Sequence, residues 1–128
     1  MQNNRANITS AMIASGTKNI DWFAYNGYTN LCDILIPASI TDIGGWAFDS
    51  CGALTKVFYG GMSAVKWNSI SIESGNEPLI NATRYYYSPV RPETKNTHWY
   101  FGADGRPAVW QEDDGSLVRR VKKNLRKI

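Results

Sequence analysis

A period constrains this chain more than any other feature. Displacing the sequence by 23 residues lays Ile20 on Ile43, Phe23 on Trp46, Ala24 on Ala47, Tyr25 on Phe48, Asn26 on Asp49, Leu31 on Leu54, Ile34 on Val57 and Ile36 on Tyr59, without a gap. One period earlier, Ile8, Ala11 and Ile13 repeat the spacing of Leu31, Ile34 and Ile36. A unit this short cannot bury an apolar face alone, whereas stacked units cover one another. The period therefore predicts a solenoid.

Each unit closes on an L-x-x-L-x-L-like step, Leu31-x-x-Ile34-x-Ile36 and then Leu54-x-x-Val57-x-Tyr59. The terminal alternation sends one side chain inward and the next outward, as a short strand does. Upstream, Ile43, Ala47, Phe48 and Cys51 have the spacing of a tight helical or 3₁₀ turn that points them all inward. The units run as a partial repeat over 1–14 and full repeats over 15–37 and 38–60.

The segment Ile36-Pro37-Ala38-Ser39-Ile40-Thr41-Asp42-Ile43-Gly44-Gly45-Trp46-Ala47-Phe48-Asp49-Ser50-Cys51-Gly52-Ala53-Leu54-Thr55-Lys56-Val57 resembles the BspA-like leucine-rich repeat, whose units read I-P-x-S-V-T-x-I-G-x-x-A-F-x-x-C-x-x-L-x-x-V. Residues 16–37 match with Tyr28 at the Cys position and Asp21 at the Gly position. The resemblance extends over roughly residues 8–110. It implies a leucine-rich repeat solenoid, mainly β with short 3₁₀ or helical returns, at the C-terminal end of a repeat array. It also implies a secreted or cell-surface binding protein, of the kind carried by host-associated bacteria or some protists.

Residues 61–111 read as a capping β module. Ser63 to Asn68 suits a short helix carrying Val65 and Trp67, Ser69-Ile70-Ser71-Ile72 returns to strand, Gly75-Asn76 and Pro78 break the chain, and Thr83–Tyr87 reads as another strand. A hairpin is predicted over 98–110, turning at Asp104-Gly105, with Pro107 confining its strand to an edge. Residues 112–128 are an acidic linker and a basic tail, with Leu117, Val121, Leu125 and Ile128 at helical spacing.

Charge is divided along the chain. Of 14 Lys and Arg, six (Arg119, Arg120, Lys122, Lys123, Arg126, Lys127) stand in the last ten positions, so the body is mildly acidic. Composition therefore does not point to a nucleic-acid surface spread over the whole domain, and only the tail is a candidate for nucleic acid or an anionic membrane. No run approaches the roughly 20 apolar residues of a membrane span, and Met1-Gln2-Asn3-Asn4-Arg5 has no apolar stretch behind it, so the chain reads as soluble and without an export signal.

No G-x-S-x-G, P-loop or H-E-x-x-H motif appears, and Glu112-Asp113-Asp114 is a run rather than an acid/base pair. A single His and two Cys, Cys32 and Cys51, make neither a zinc site nor a disulfide framework. Cys51 falls at an inward position and is expected to be a buried, inert thiol, and His98 a surface imidazole. The expectation is a noncatalytic module that needs no cofactor and no metal.

Parallel stacking puts residues 23 apart in columns on the strand face. One column is Met12, Leu35, Phe58, and the next is Ser10, Asp33, Lys56. An apolar row flanked by charge suits a protein ligand if it is exposed; the competing reading is that the downstream segment folds back over it. On the first reading, Ser at Leu35 and Phe58 abolishes capture and spares the fold. The aromatics Trp99, Tyr100 and Trp110 of the hairpin suit either a sugar ring or the thin core of a small β module. The rival function is a structural end-piece with no ligand of its own. The oligomeric state is not legible.

Overall fold

The computed structural model describes residues 5–93 and 96–111. After a 3₁₀ turn at Arg5–Asn7 come β1 (Ser10–Met12), β2 (Asn19–Ile20), β3 (Asp33–Ile36), β4 (Asp42–Ile43), β5 (Lys56–Tyr59), α1 (Ala64–Trp67), β6 (Ser71–Ile72), α2 (Glu77–Asn81), β7 (Thr83–Tyr87), β8 (His98–Phe101) and β9 (Pro107–Val109). They build a six-stranded sheet in the order β1-β3-β5-β7-β8-β9 and a three-stranded sheet in the order β2-β4-β6. All pairings are parallel except β8 with β9.

The predicted columns are real. Ser10, Asp33, Lys56 and Thr83 are successive partners across the large sheet, as are Met12, Leu35, Phe58 and Tyr85. The stack also continues past residue 60, because β6 pairs with β4 and β7 with β5. This third unit is longer than the first two. Lys56 pairs with Thr83 and Asp42 with Ser71, and the additional residues are taken up around α1 and α2.

The core lies between the sheets. Ile34, Ile36, Val57 and Tyr59 enter from one side and Ile20 and Ile43 from the other, with Leu31, Ala47, Phe48, Cys51 and Leu54 packed from the turns. Those turns are not helices. They are chained tight turns, in which Ala47 N–H donates to Gly44 O, Cys51 N–H to Phe48 O and Leu54 N–H to Cys51 O. Neighbouring turns are tied by the main chain, Tyr25 N–H donating to Ala47 O at 2.7 Å and Gly27 N–H to Asp49 O at 3.1 Å. The small sheet was only partly legible: β6 was expected as a strand, β2 and β4 were not.

In α1, Ser63 caps the first turn by accepting Lys66 N–H at 3.4 Å. Trp67 is buried while Val65 points to solvent, so the pair does not share a face. Pro78, expected only to break the chain, sits in the first turn of α2, where a missing N–H costs no helical hydrogen bond. Arg84 occupies the column of Ala11, Ile34 and Val57. Its guanidinium lies 4.6 Å from the Trp67 ring centre and its Nε donates to the Tyr86 hydroxyl at 3.0 Å. A cation lying on aromatic faces thus covers the end of the apolar column.

Candidate functional site: the groove under the hairpin

The site is made by curvature. Met12 on β1 and Phe101 on β8 line one pocket although three strands separate them in the sheet, so the sheet must curl over its own strand face. The link that fixes the curl is Trp99. Its indole N–H donates to Tyr59 O at 2.7 Å, reaching past β7 to the end of β5. Around it the rings interlock: Trp99 to Phe58 at 5.9 Å, to Tyr87 at 5.0 Å and to Phe101 at 4.8 Å between centres.

This arrangement corrects one expectation. Leu35 and Phe58 are not an exposed row. They are 7% and 5% exposed and form, with Trp99, a second small core against Tyr85, Tyr87 and Val109. The downstream segment does fold back over the column, and Met12 alone of the three stays open to solvent. Replacing Leu35 and Phe58 by Ser is therefore a test of packing, not of recognition.

The hairpin leaves two concavities. The larger, about 430 Å³, is apolar, with Met12, Leu35, Pro37, Tyr87, Trp99 and Phe101 among its walls. The other, about 340 Å³, holds Asp33, Lys56 and Arg106 beside Phe58, Tyr100 and Gln111. Asp33 is oriented there by the Ser10 hydroxyl, which donates to its Oδ1 at 2.6 Å. The hairpin thus separates the neutral part of the expected binding face from its charged part.

Of the hairpin aromatics, Trp99 is fully enclosed. Tyr100 packs on Trp110 with centres 4.1 Å apart, and the Trp110 indole N–H donates to Ser88 O at 2.8 Å. The strand β9 is a sheet edge, as Pro107 requires. The tail cations Arg119, Arg120, Lys122, Lys123, Arg126 and Lys127 lie outside the described residues.

Cys32 and Cys51 are free thiols, the first exposed and the second buried. Cys51 donates to Tyr25 O at 3.1 Å. Burial pushes its thiol up from 9.0 to about 11; a Tyr28 main-chain hydrogen bond opposes the shift and the Asp49 charge adds to it. A neutral, enclosed thiol is a poor nucleophile. His98 is half-buried, with Nδ1 2.8 Å from the Thr97 hydroxyl. Among the described residues no group of three or more His, Cys, Asp or Glu is placed to hold a metal ion, and no helix is long and apolar enough to cross a membrane.

Two features escaped the sequence reading. Phe23 and Trp46 hold φ of 63° and 53°, in the left-handed region that bulky side chains rarely enter, and the equivalent third-unit residue is Gly75 at 83°. Trp22, Phe23 and Trp46 form an open ring cluster there. The second feature is Asn76, a buried polar side chain at a position where Gly75-Asn76 predicts only a chain break. The pairing of Phe23 with Trp46 in the 23-residue alignment was the available signal for the cluster; for Asn76 there was none.

Comparison with known proteins agrees with the architecture. Residues 2–74, more than half of the chain, match the family model described as BspA type leucine rich repeat region (6 copies). No curated protein and no solved structure matches the chain significantly. With turns, strands and columns repeating in register between parallel sheets and the family model covering most of them, this chain belongs to the BspA-type leucine-rich repeat family.

Proposed function

We propose that the chain is a noncatalytic binding module that takes a protein ligand, as in protein–protein interaction or surface adhesion, into the groove between its N-terminal repeats and its C-terminal hairpin. The observation that carries this reading is the 430 Å³ apolar concavity whose accessible rim is set by Met12 on one wall and Phe101 on the other. Pockets of this size lined by apolar and aromatic side chains suit an apolar anchor of a partner. The curled sheet supplies the shape, and no cofactor is needed.

Selection of displayed peptides on the full chain, followed by counter-selection on Met12→Lys and Phe101→Lys, tests the reading. Both side chains are exposed, so circular dichroism should be unchanged. Peptides with an apolar or aromatic anchor that lose at least tenfold in affinity on both variants support the groove. Peptides that bind parent and variants alike refute it.

A second reading has its own observation. Ile13, Ile20, Tyr25 and Tyr28 line an open concavity of about 310 Å³ at the N-terminal end of the stack, where β1 and β2 are the outer strands. On this reading the chain terminates a longer array and has no ligand of its own. Two consensus repeats added at the N-terminus should then sharpen a broad thermal transition; a transition already sharp in the 128-residue chain argues for a self-sufficient module.

A further inference from the structure

A separate surface lies on the side of the small sheet. Trp22, Phe23 and Trp46 are 56%, 56% and 38% exposed. Their ring centres form a triangle with sides of 6.3, 5.7 and 6.0 Å, and Phe23 lies nearly parallel to Trp46, with 12° between the planes. Folding alone does not account for them. Two of the three hold the left-handed backbone that the third unit assigns to Gly75, yet their rings face solvent instead of the core. The cluster is also held firmly. A Cβ at Gly45 would fall 2.8 Å from the Trp22 ring and one at Gly75 would collide with the Trp46 ring, so both indoles lie flush on glycines.

The surroundings state the sign of the partner. Trp22 forms one wall of a pocket of about 210 Å³ whose other walls include the carboxylates of Asp21, Asp42 and Glu73, with no Lys or Arg among its lining residues. Asp42 is engaged by the Thr41 hydroxyl at 2.7 Å. Asp21 and Glu73 are exposed and form no ion pair among the described residues. The three carboxylates are not arranged to hold a metal ion.

We propose that this surface docks a cationic segment of a partner polypeptide, with an Arg or Lys side chain laid against the Trp22, Phe23 and Trp46 rings and its charge turned to Asp21 and Glu73. Both halves of the surface favour that chemistry. A guanidinium or ammonium within about 6 Å of a ring centre is drawn to the aromatic face. The free carboxylates give it charge-assisted hydrogen bonds, and Arg fits both because its planar fork stacks and pairs at once. Phosphate polymers and anionic lipid are repelled by the same carboxylates.

The test is isothermal titration of the full chain with a hepta-arginine peptide, with hepta-glutamate as the control. The expected result is saturable binding of hepta-arginine only, weakened at least tenfold by Phe23→Gly with Trp46→Gly and, separately, by Asp21→Asn with Glu73→Gln. The glycine pair keeps the backbone conformation that Gly75 already adopts. If that pair nevertheless fails to fold, the exposed carboxylate pair decides the matter alone. Unweakened binding in the carboxylate variant overturns the proposal, as does unweakened binding in a folded glycine variant. It is likewise overturned if the parent chain binds nothing and binding appears only after the six tail cations are changed to Gln, since the occupant is then the chain's own tail.

Discussion

The side-chain oxygen of Asn76 accepts the Phe48 amide at 3.0 Å, in the place where, one turn earlier, Tyr25 N–H meets the main-chain oxygen of Ala47. The substitution has a cause. The main-chain oxygen of Asn76 is turned along α2, which starts there, and accepts Ile80 N–H at 3.0 Å. A side chain one atom group away restores the missing acceptor, and its Nδ2 donates back to Gly44 O at 3.0 Å and Glu73 O at 2.8 Å.

Asn76→Ala should therefore destabilise the chain by about 1–3 kcal/mol, since it leaves a buried Phe48 amide without a partner. Urea denaturation measures this. A loss below about 0.5 kcal/mol would show that the turn satisfies the amide in another way.

Leu35→Ser and Phe58→Ser should each lower stability by about 3 kcal/mol or more, being buried beneath Trp99. Met12→Ser, in the same column but exposed, should stay within about 0.5 kcal/mol of the parent. Thermal melts of the three variants read the difference directly, and equal melts would mean that the hairpin does not cover the column.

Trp99→Phe keeps a ring in place and removes the donor to Tyr59 O. A loss of about 1–3 kcal/mol is expected, accompanied by faster hydrogen exchange across β8 and β9. Unchanged exchange would relieve Trp99 of its role in holding the curl.

Cys51 sets a pH dependence with a definite sign. Its folded value, about 11, lies above the ordinary 9.0, so the folded state holds its proton more tightly than the unfolded state does. Stability is intact below pH 9 and falls between pH 9 and about 11. Tyr25 and Tyr59, raised by burial and then by Tyr28 and Tyr86 respectively, add loss of the same sign above pH 10. Cys51→Ala should flatten the earlier part of the decline in denaturation midpoint. Iodoacetamide at pH 8 should label Cys32 and spare Cys51 in the native chain.

Tyr59→Phe should be neutral or stabilising by up to about 1 kcal/mol, because the buried Tyr59 hydroxyl has no hydrogen-bond partner among the described residues. A loss above 1 kcal/mol would reveal a partner for that oxygen.

The large sheet was legible because its strands announce themselves by alternation at a fixed period. From Ile34, Ile36, Val57 and Tyr59 alone the register of β3 and β5 follows, and with it both columns. The depth of Leu35 was not legible, since alternation assigns a side chain to a face but not what lies across that face. That depends on Trp99, 64 positions later in the sequence. The two-residue strands β2 and β4 are too short for alternation to register, and α2 was hidden because Pro78 signals an interruption and a helix start equally well. Asn76 illustrates the same limit, since its role exists only because a helix displaces one carbonyl.

The hairpin also gives the stack a direction. β8 lies beside β7, where a further repeat would set its strand, and reverses into an edge carrying Pro107. At the other end, among the described residues, no strand pairs with the outer side of β1 or of β2. In the large sheet, Pro107 blunts the β9 edge, so a further strand is favoured at β1. Two copies meeting at β1 would present the same edge to each other, and such a self-complementary contact closes at two.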